Sequence, residues 1–283
     1  MSAIPAFETL DYREDDGVAW VTLDRPEVYN AFNATMQREL RTLWRALRRR
    51  DEVRCIVLTG AGDKAFCTGI DRNEALGDTS GDATVGEDGE SVHVGAGETP
   101  FMFDDPGEDL GPKTCDLWKP VIAAVNGMAC GGAFYLLGEV DVIIATEAAT
   151  FFDPHVTYGM AAAFEPLQMT GRLPFGELAR MTLLGASERM SAQRAHQVGL
   201  VSELATDVDD LRERAGWVAR QISDAPALAV QGSLRALWAG RDMGRGQALA
   251  LGYAFVGLGN SPQALAEGQE RFASGARLEW KLR

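Results

Sequence analysis

The sequence predicts an α/β fold, a largely parallel sheet followed by a helical C-terminal region. Three observations carry that expectation. Apolar runs of strand length alternate with a helical pattern before residue 60, strand-like runs return over 119–152, and 208–273 reads as a succession of helices.

In chain order, "GVAWVTL" over 17–23 is a strand, and Asn33 is placed to cap a helix whose apolar positions Met36, Leu40, Leu43, Trp44 and Leu47 recur at helical spacing. "RCIVLTG" over 54–60 is continuously apolar, the mark of a strand buried on both faces. Strand, helix, strand implies a right-handed crossover and a parallel pairing. Residues 77–112 break this pattern with ten Asp or Glu, eight Gly and no Lys or Arg. Such a segment buries little, so it is expected to be a solvated loop, with a substrate-covering lid as the alternative.

Order returns over 119–152, where "VIAAV" and "DVIIAT" are strands, "GGAFYLLG" opens a short helix and "ATFF" begins another strand. "PFGELARMTLLG" and "SAQRAHQVG", the latter capped by Ser191, are helical, as are 208–222, 226–239, 243–258 and 262–273. A division follows into a core over 1–204, with 77–112 inserted, and a helical region over 205–283.

Composition excludes several function classes. With 41 acidic against 27 basic residues, the net charge of −14 opposes binding to nucleic-acid phosphates or an anionic membrane. Neither a signal peptide nor an apolar stretch of spanning length is visible, and a cytoplasmic protein is expected. Cys55, Cys67, Cys115 and Cys130 form no CxxC pair and lie in or beside apolar segments, so they read as buried free thiols. No cluster has the spacing of metal ligands, and none is expected.

Two places could do chemistry. In "NGMACGGAFYLL" a strand ends at a Gly-Gly pair and a helix begins; unpaired N–H groups at such a start, with no side chain to block them, can receive an oxyanion. "KAFCTGID" over 64–71 is a second turn after a strand, with Gly69 beside Ile70. Each alone is an ordinary glycine turn.

Together, with "LDRPEVYNAFN", "KPVIAAVNGMACGGAFYLL", "VDVIIATEAATFF" and "LLGASERMSAQRAHQVGLVSEL", they resemble the crotonase or enoyl-CoA hydratase/isomerase family over nearly the whole chain. The resemblance implies a spiral of strand-strand-helix turns and assembly as a homotrimer or a dimer of trimers through the C-terminal helices. It implies an acyl-CoA substrate, coenzyme A being part of that substrate and no cofactor being held permanently. The oxyanion donors would be the N–H groups of Ile70 and Gly132. Arg25, Val28, Lys64, Ala65 and Phe66 would lie along the coenzyme A moiety, and Gly69, Asp71, Arg72, Asn73 and Gly131, beside the two donors, would also bind the substrate.

The chain departs from the family at the two hydratase glutamates. Three residues beyond Gly132 stands Tyr135, and the "PE" dipeptide is Pro154-His155. Tyrosine, with a pKa near ~10, is a hydrogen-bond donor rather than a base at neutral pH. Histidine, near ~6.5, exchanges protons in both directions. His155 is therefore expected to transfer the proton and Tyr135 to orient substrate or water. Asp71, Glu74, Asp153 and Glu165 are expected as surface or capping carboxylates, because Asp and Glu are mostly exposed. His196 is expected to be a partly buried helix residue, and Met128, Phe134, Phe151, Phe152, Met160, Phe164 and Met169 are candidates for an apolar pocket or for core.

Enoyl-CoA hydration or isomerisation is the default expectation. Hydrolysis or decarboxylation of an acyl-CoA by His155, or a silent coenzyme A-binding subunit, are the alternatives.

Overall fold

In a computed structural model the described residues are 4–72, 95–96, 103–275 and 280–282. Asn73, Glu74 and His93 lie outside them, as does most of the 77–112 segment. The larger sheet has six strands in the order Leu10–Asp15, Val18–Leu23, Cys55–Gly60, Val121–Val125, Val142–Thr146 and Glu203–Ala205. Only the first pairing is antiparallel; the others are parallel, which needs a crossover connection between the paired strands. A second sheet orders Met190–Ser191, Thr150–Phe152, Met128–Cys130 and Ala65–Cys67. Its short strands carry the turns on which the candidate site is built.

The helix Ala34–Leu47 begins at Asn33, whose side chain accepts the Met36 N–H at 3.0 Å. Its buried stripe of Met36, Leu40, Leu43, Trp44 and Leu47 joins one face of the large sheet in the main core. The opposite face, with Val18, Val57, Ile122 and Ile144, is covered by Leu211, Ala215 and Ala219 of the helix Val208–Ser223. That helix and the strand Glu203–Ala205 thus pack with the sheet, although they fall at or beyond the expected division at 204. Two apolar faces cannot both be left in water, and the first helix of the C-terminal region closes the second one.

The end of the 77–112 segment is not a solvated loop. Residues Gly107–Leu110 form a short helix, and Leu110 is fully buried, its carbonyl accepting the Trp44 Nε1–H at 2.9 Å. Gly95–Ala96 pairs antiparallel with Phe103–Asp104. All four cysteines are free and buried, and desolvation pushes the Cys55, Cys67 and Cys130 thiols up to about 12 and Cys115 up to about 11. Among the described residues, no helix is long and apolar enough to cross a membrane.

Candidate active site

The strand Ala65–Cys67 ends in a turn where Phe32 meets Ile70 in a single parallel bridge. The Phe32 N–H donates to the Gly69 carbonyl and the Asp71 N–H donates to the Phe32 carbonyl, both at 2.8 Å. Alternation along an extended chain then turns the Ile70 N–H to the opposite edge. That edge faces the end of the neighbouring strand Met128–Cys130, where Gly131 and Gly132 lead into the helix Ala133–Glu139.

The approach of the two turns is closer than side chains permit. Gly69 has φ +84°, and a Cβ there would lie 2.8 Å from the Gly132 nitrogen. At Gly132 itself a Cβ would fall 2.5 Å from Phe32 Cε1. Neither the Ile70 nor the Gly132 N–H donates to a backbone carbonyl among the described residues. The two turns therefore bring a pair of uncommitted donors side by side.

His155 begins a 3-10 turn over His155–Tyr158, directly after the strand Thr150–Phe152. That strand pairs in parallel with Met128–Cys130, and the Gly131 N–H donates to the Phe152 carbonyl at 3.2 Å. The imidazole is thereby set over the glycine turn: a Cβ at Gly131 would lie 3.7 Å from His155 Cε1. Asp153, 1 % exposed, accepts the His155 backbone N–H at 3.1 Å and faces Nδ1 at 2.5 Å through the same Oδ1. Nε2 points the other way, to Glu165 Oε1 at 3.3 Å. The hydrogen bond to Asp153 is the largest influence on His155 and, with the Glu165 charge, holds its pKa above the ordinary imidazole value despite burial.

The expectation that Asp71, Asp153 and Glu165 are surface carboxylates is overturned, since all three are buried. Asp153 does cap a turn, but from the interior, and Glu165 is buried on the short helix Phe164–Met169. Desolvation raises the Glu165 carboxyl above its usual range. The signal for Asp153 was the Asp-x-His spacing, which suits a side chain bonding the backbone two residues on. Nothing local marked Glu165, since the helix that aims it is only Phe164–Met169.

Tyr135 lies on the helix that starts at Gly132, and its hydroxyl donates to Asp105 Oδ2 at 2.7 Å, beside Glu165. Burial, followed by the Glu165 charge, pushes the phenol pKa up, so Tyr135 stays a neutral donor. Asp105 comes from the acidic segment and was not singled out in the sequence.

The remaining expected residues fall into two groups. The Arg25 guanidinium pairs with buried Asp71 at 2.9 Å and donates to the Ala31 carbonyl at 2.8 Å, tying the segment after the second strand to the Ile70 turn. Arg72 stacks over Tyr158 at 4.1 Å and so links that turn to the His155 turn. Val28 is half-buried, Ala65 and Phe66 are buried, and Lys64 is exposed with its carbonyl accepting the Met128 N–H. Phe134, Phe151 and Met169 are core residues, Phe152 is buried beneath Arg189, and Met160 and Phe164 are exposed. His196 is exposed rather than partly buried, and its Nδ1 lies 3.0 Å from the Val201 carbonyl, a local contact remote in sequence from the site. A cavity of about 530 Å³ at the far end of the Tyr135 helix, lined by Lys113, Trp118, Glu139, Trp238 and Arg241, contains none of these groups.

Paired donors, a fixed imidazole and a buried carboxyl form an arrangement able to hold a developing oxyanion and move a proton beside it. The sequence model of the enoyl-CoA hydratase/isomerase family matches residues 13–281. The chain is similar to (E)-benzylidenesuccinyl-CoA hydratase of Thauera aromatica, 33 % identical over 228 residues covering 80 % of each chain. It is also similar to 1,2-epoxyphenylacetyl-CoA isomerase of Escherichia coli K12, 33 % identical over 217 residues and 76 % of each. An enoyl-CoA hydratase/isomerase structure from Mycobacterium paratuberculosis superposes with a TM-score of 0.80 at 34 % identity, covering 99 % of this chain and 100 % of that one. With its fold and its sequence in agreement over nearly its full length, the chain belongs to the crotonase superfamily and is an acyl-CoA enzyme of the enoyl-CoA hydratase/isomerase family.

Proposed function

We propose that the chain removes a proton from the α-carbon of an acyl-CoA with His155 and holds the resulting thioester enolate on the Ile70 and Gly132 N–H groups. The observation that carries this reading is the Asp153–His155 contact at 2.5 Å, which occupies Nδ1 and leaves Nε2 as the working nitrogen of a ring whose Cε1 lies over the glycine turn. Loss of the α-proton moves charge onto the thioester oxygen, and one preorganised donor at such an oxygen is worth about 3 kcal/mol of barrier. His155 does the work of a carboxylate base without adding another negative charge to a pocket that already holds Asp153 and Glu165. Tyr135, tied to Asp105, orients rather than titrates.

In this reading coenzyme A runs along Arg25, Val28, Lys64, Ala65 and Phe66, with Gly69, Asp71, Arg72 and Gly131 bordering the thioester. No cofactor beyond the coenzyme A of the substrate is required. Assembly as a homotrimer or a dimer of trimers is supported by the helix Arg245–Gly259, none of whose residues is buried in the single chain although it carries Leu249, Tyr253 and Val256.

Incubation with an acyl-CoA library in D2O, read by mass spectrometry, tests the assignment. The library includes the benzylidenesuccinyl and phenylacetyl types that the relatives' names carry. α-Deuterium uptake that is lost in His155→Ala is the expected result. Release of free thiol without α-exchange would assign hydrolysis instead, and coenzyme A binding without any turnover would assign a silent subunit.

A further inference from the structure

The two short helices that carry the site cannot hold themselves in place. Ala133–Glu139 has seven residues and Phe164–Met169 six, and among the described residues no side chain caps the start of either. A helix that short has too few internal hydrogen bonds to persist alone, and its last carbonyls lack helical partners. Gly132 begins the first helix and Glu165 lies in the first turn of the second, while Gly138 and Gln168 stand toward the opposite ends. Those far ends touch: a Cβ at Gly138 would fall 2.5 Å from Gln168 Cβ. One guanidinium bonds both. Arg241 Nη1 donates to the Gly138 carbonyl at 3.2 Å and Nη2 to the Gln168 carbonyl at 2.8 Å, with Arg172 Nε sharing the Gly138 oxygen at 3.1 Å. A cation at two helix C-termini also meets the negative ends of their dipoles.

Arg241 belongs to the C-terminal helical region, on the helix Ala227–Asp242. Its guanidinium lies 4.7 Å from the centre of the Trp238 ring, and Trp238 Nε1 donates to Asp141 Oδ1 at 2.7 Å. Asp141 Oδ2 accepts Lys113 Nζ at 2.9 Å and the Val121 N–H at 2.7 Å, so the indole that backs the guanidinium is tied to a strand of the large sheet. The planar fork is thus held in one orientation while it spans two carbonyls, which a single ammonium cannot do.

We propose that Arg241 is a positioning residue for the reaction: by fixing the far ends of both helices it sets the alignment of the Gly132 N–H with the Ile70 N–H. This rests on the assignment of those two groups as the oxyanion donors. At about 1.5 Å per residue the first helix is only roughly 10 Å long, so a slip at its far end is carried to Gly132 almost undiminished. Misplacement by about 1 Å can cost on the order of 100-fold in rate. Because Arg172 still holds the Gly138 carbonyl when Arg241 is removed, a smaller loss is expected.

The test compares the wild type with Arg241→Ala, Arg241→Lys and Arg235→Ala, the last removing a guanidinium of the same helix that stacks on Trp118. Two readouts are followed: α-deuterium exchange of phenylacetyl-CoA in D2O, and the absorption of bound para-dimethylaminocinnamoyl-CoA, which moves to the red as hydrogen bonds polarise its thioester carbonyl. In Arg241→Ala, kcat for exchange is expected to fall on the order of 10-fold with KM within about 2-fold, and the red shift at saturation to shrink. Arg241→Lys, serving one carbonyl at a time, should lie between, and Arg235→Ala should match the wild type. Methylguanidinium, entering the cavity lined by Trp238 and Arg241, should restore rate and shift to Arg241→Ala where methylammonium does not. An Arg241→Ala enzyme with the wild-type rate and shift overturns the proposal, as does one that loses rate only through KM or stability while the shift at saturation stays whole. Equal damage from Arg235→Ala overturns it too, since the helix as a whole and not the fork would then matter. If Arg241→Ala does not fold, Arg241→Lys carries the comparison, and a wild-type rate and shift in that variant overturn the proposal. A wild type that leaves phenylacetyl-CoA unexchanged fails the enolate reading, and the shift alone then decides on Arg241. A wild type that binds the cinnamoyl probe without a red shift fails the oxyanion assignment and the proposal with it, a result distinct from the others.

Discussion

Asp153 Oδ1 binds both the backbone N–H of His155, at 3.1 Å, and its Nδ1, at 2.5 Å, so a single carboxylate oxygen fixes the turn and the ring together. Asparagine at 153 can keep the backbone contact but not the charge. Asp153→Asn is therefore expected to fold normally and lose on the order of 100-fold in kcat. The base must be neutral to accept a proton, and Asp153 raises the pKa of that base. The acidic limb of the kcat profile should accordingly move to lower pH in the variant, which a merely structural role for Asp153 would not produce.

Gly69 and Gly132 are expected to fail in different ways when replaced by alanine. A Cβ at Gly69 would reach to 2.8 Å from the Gly132 nitrogen, at a φ of +84°. Gly69→Ala should thus lose on the order of 100-fold or more in kcat through a spoiled donor pair. Gly132→Ala meets the Phe32 ring at 2.5 Å instead, and overpacking of that kind costs about 1–3 kcal/mol. Denaturant melts should show that loss, and Phe32→Leu in the same chain should recover much of it.

The strands of the large sheet and the long helices were legible because burial on both faces and 3.6-residue spacing leave plain patterns in residues such as Val121–Val125 and Met36 to Leu47. The glycine turns and His155 were legible through the family's motifs. Glu165 and Asp105 were not. Their places beside the site rest on pairings across 10 and 30 residues, with His155 and Tyr135 respectively, and a carboxylate carries no local sign of its partner. Charge composition pointed the wrong way at 103–112, where a strongly acidic stretch still anchors itself through Leu110 and an Asp109–Arg41 ion pair at 2.8 Å.

Glu165 also gives the fold a pH dependence of defined sign. Its carboxyl is raised by burial in the folded state, so the folded chain binds this proton more tightly than the unfolded one. The associated stability is present at low pH and declines as pH rises from the unfolded toward the folded pKa. Glu165→Gln removes the ionisation but keeps the shape. The difference in Tm between the variant and the wild type should become more favourable to the variant as pH rises through that window, measured by calorimetry at matched ionic strength.

The Arg25–Asp71 pair is a further sensitive point, since its side chains are 14 % and 6 % exposed and the contact spans the two segments that frame the Ile70 turn. Removing one member of a buried pair leaves the other charge desolvated, at a cost of about 3–5 kcal/mol. Arg25→Met is expected to lose stability on that scale and to raise KM for the acyl-CoA. Arg25→Met with Asp71→Leu should be more stable than the single variant. If the double variant regains stability but not KM, Arg25 serves coenzyme A as well as the fold.

Along the helix Arg245–Gly259, Leu249, Tyr253 and Val256 fall at helical spacing on one stripe and are 61 %, 90 % and 54 % exposed in the single chain. The helix is held to its own chain through Ala227–Asp242, where Gly232 lets the Phe255 carbonyl approach to 2.7 Å from a Cβ position. That contact leaves the stripe itself uncovered. An apolar stripe in water favours association, and a charge placed at its centre opposes it. The wild type is therefore expected to run in light scattering at a multiple of its 30.6 kDa chain mass. Tyr253→Glu should shift the mass toward a single chain while the far-UV spectrum keeps its helical content. A monomeric wild type, or an assembly indifferent to Tyr253→Glu, would remove this helix from the interface.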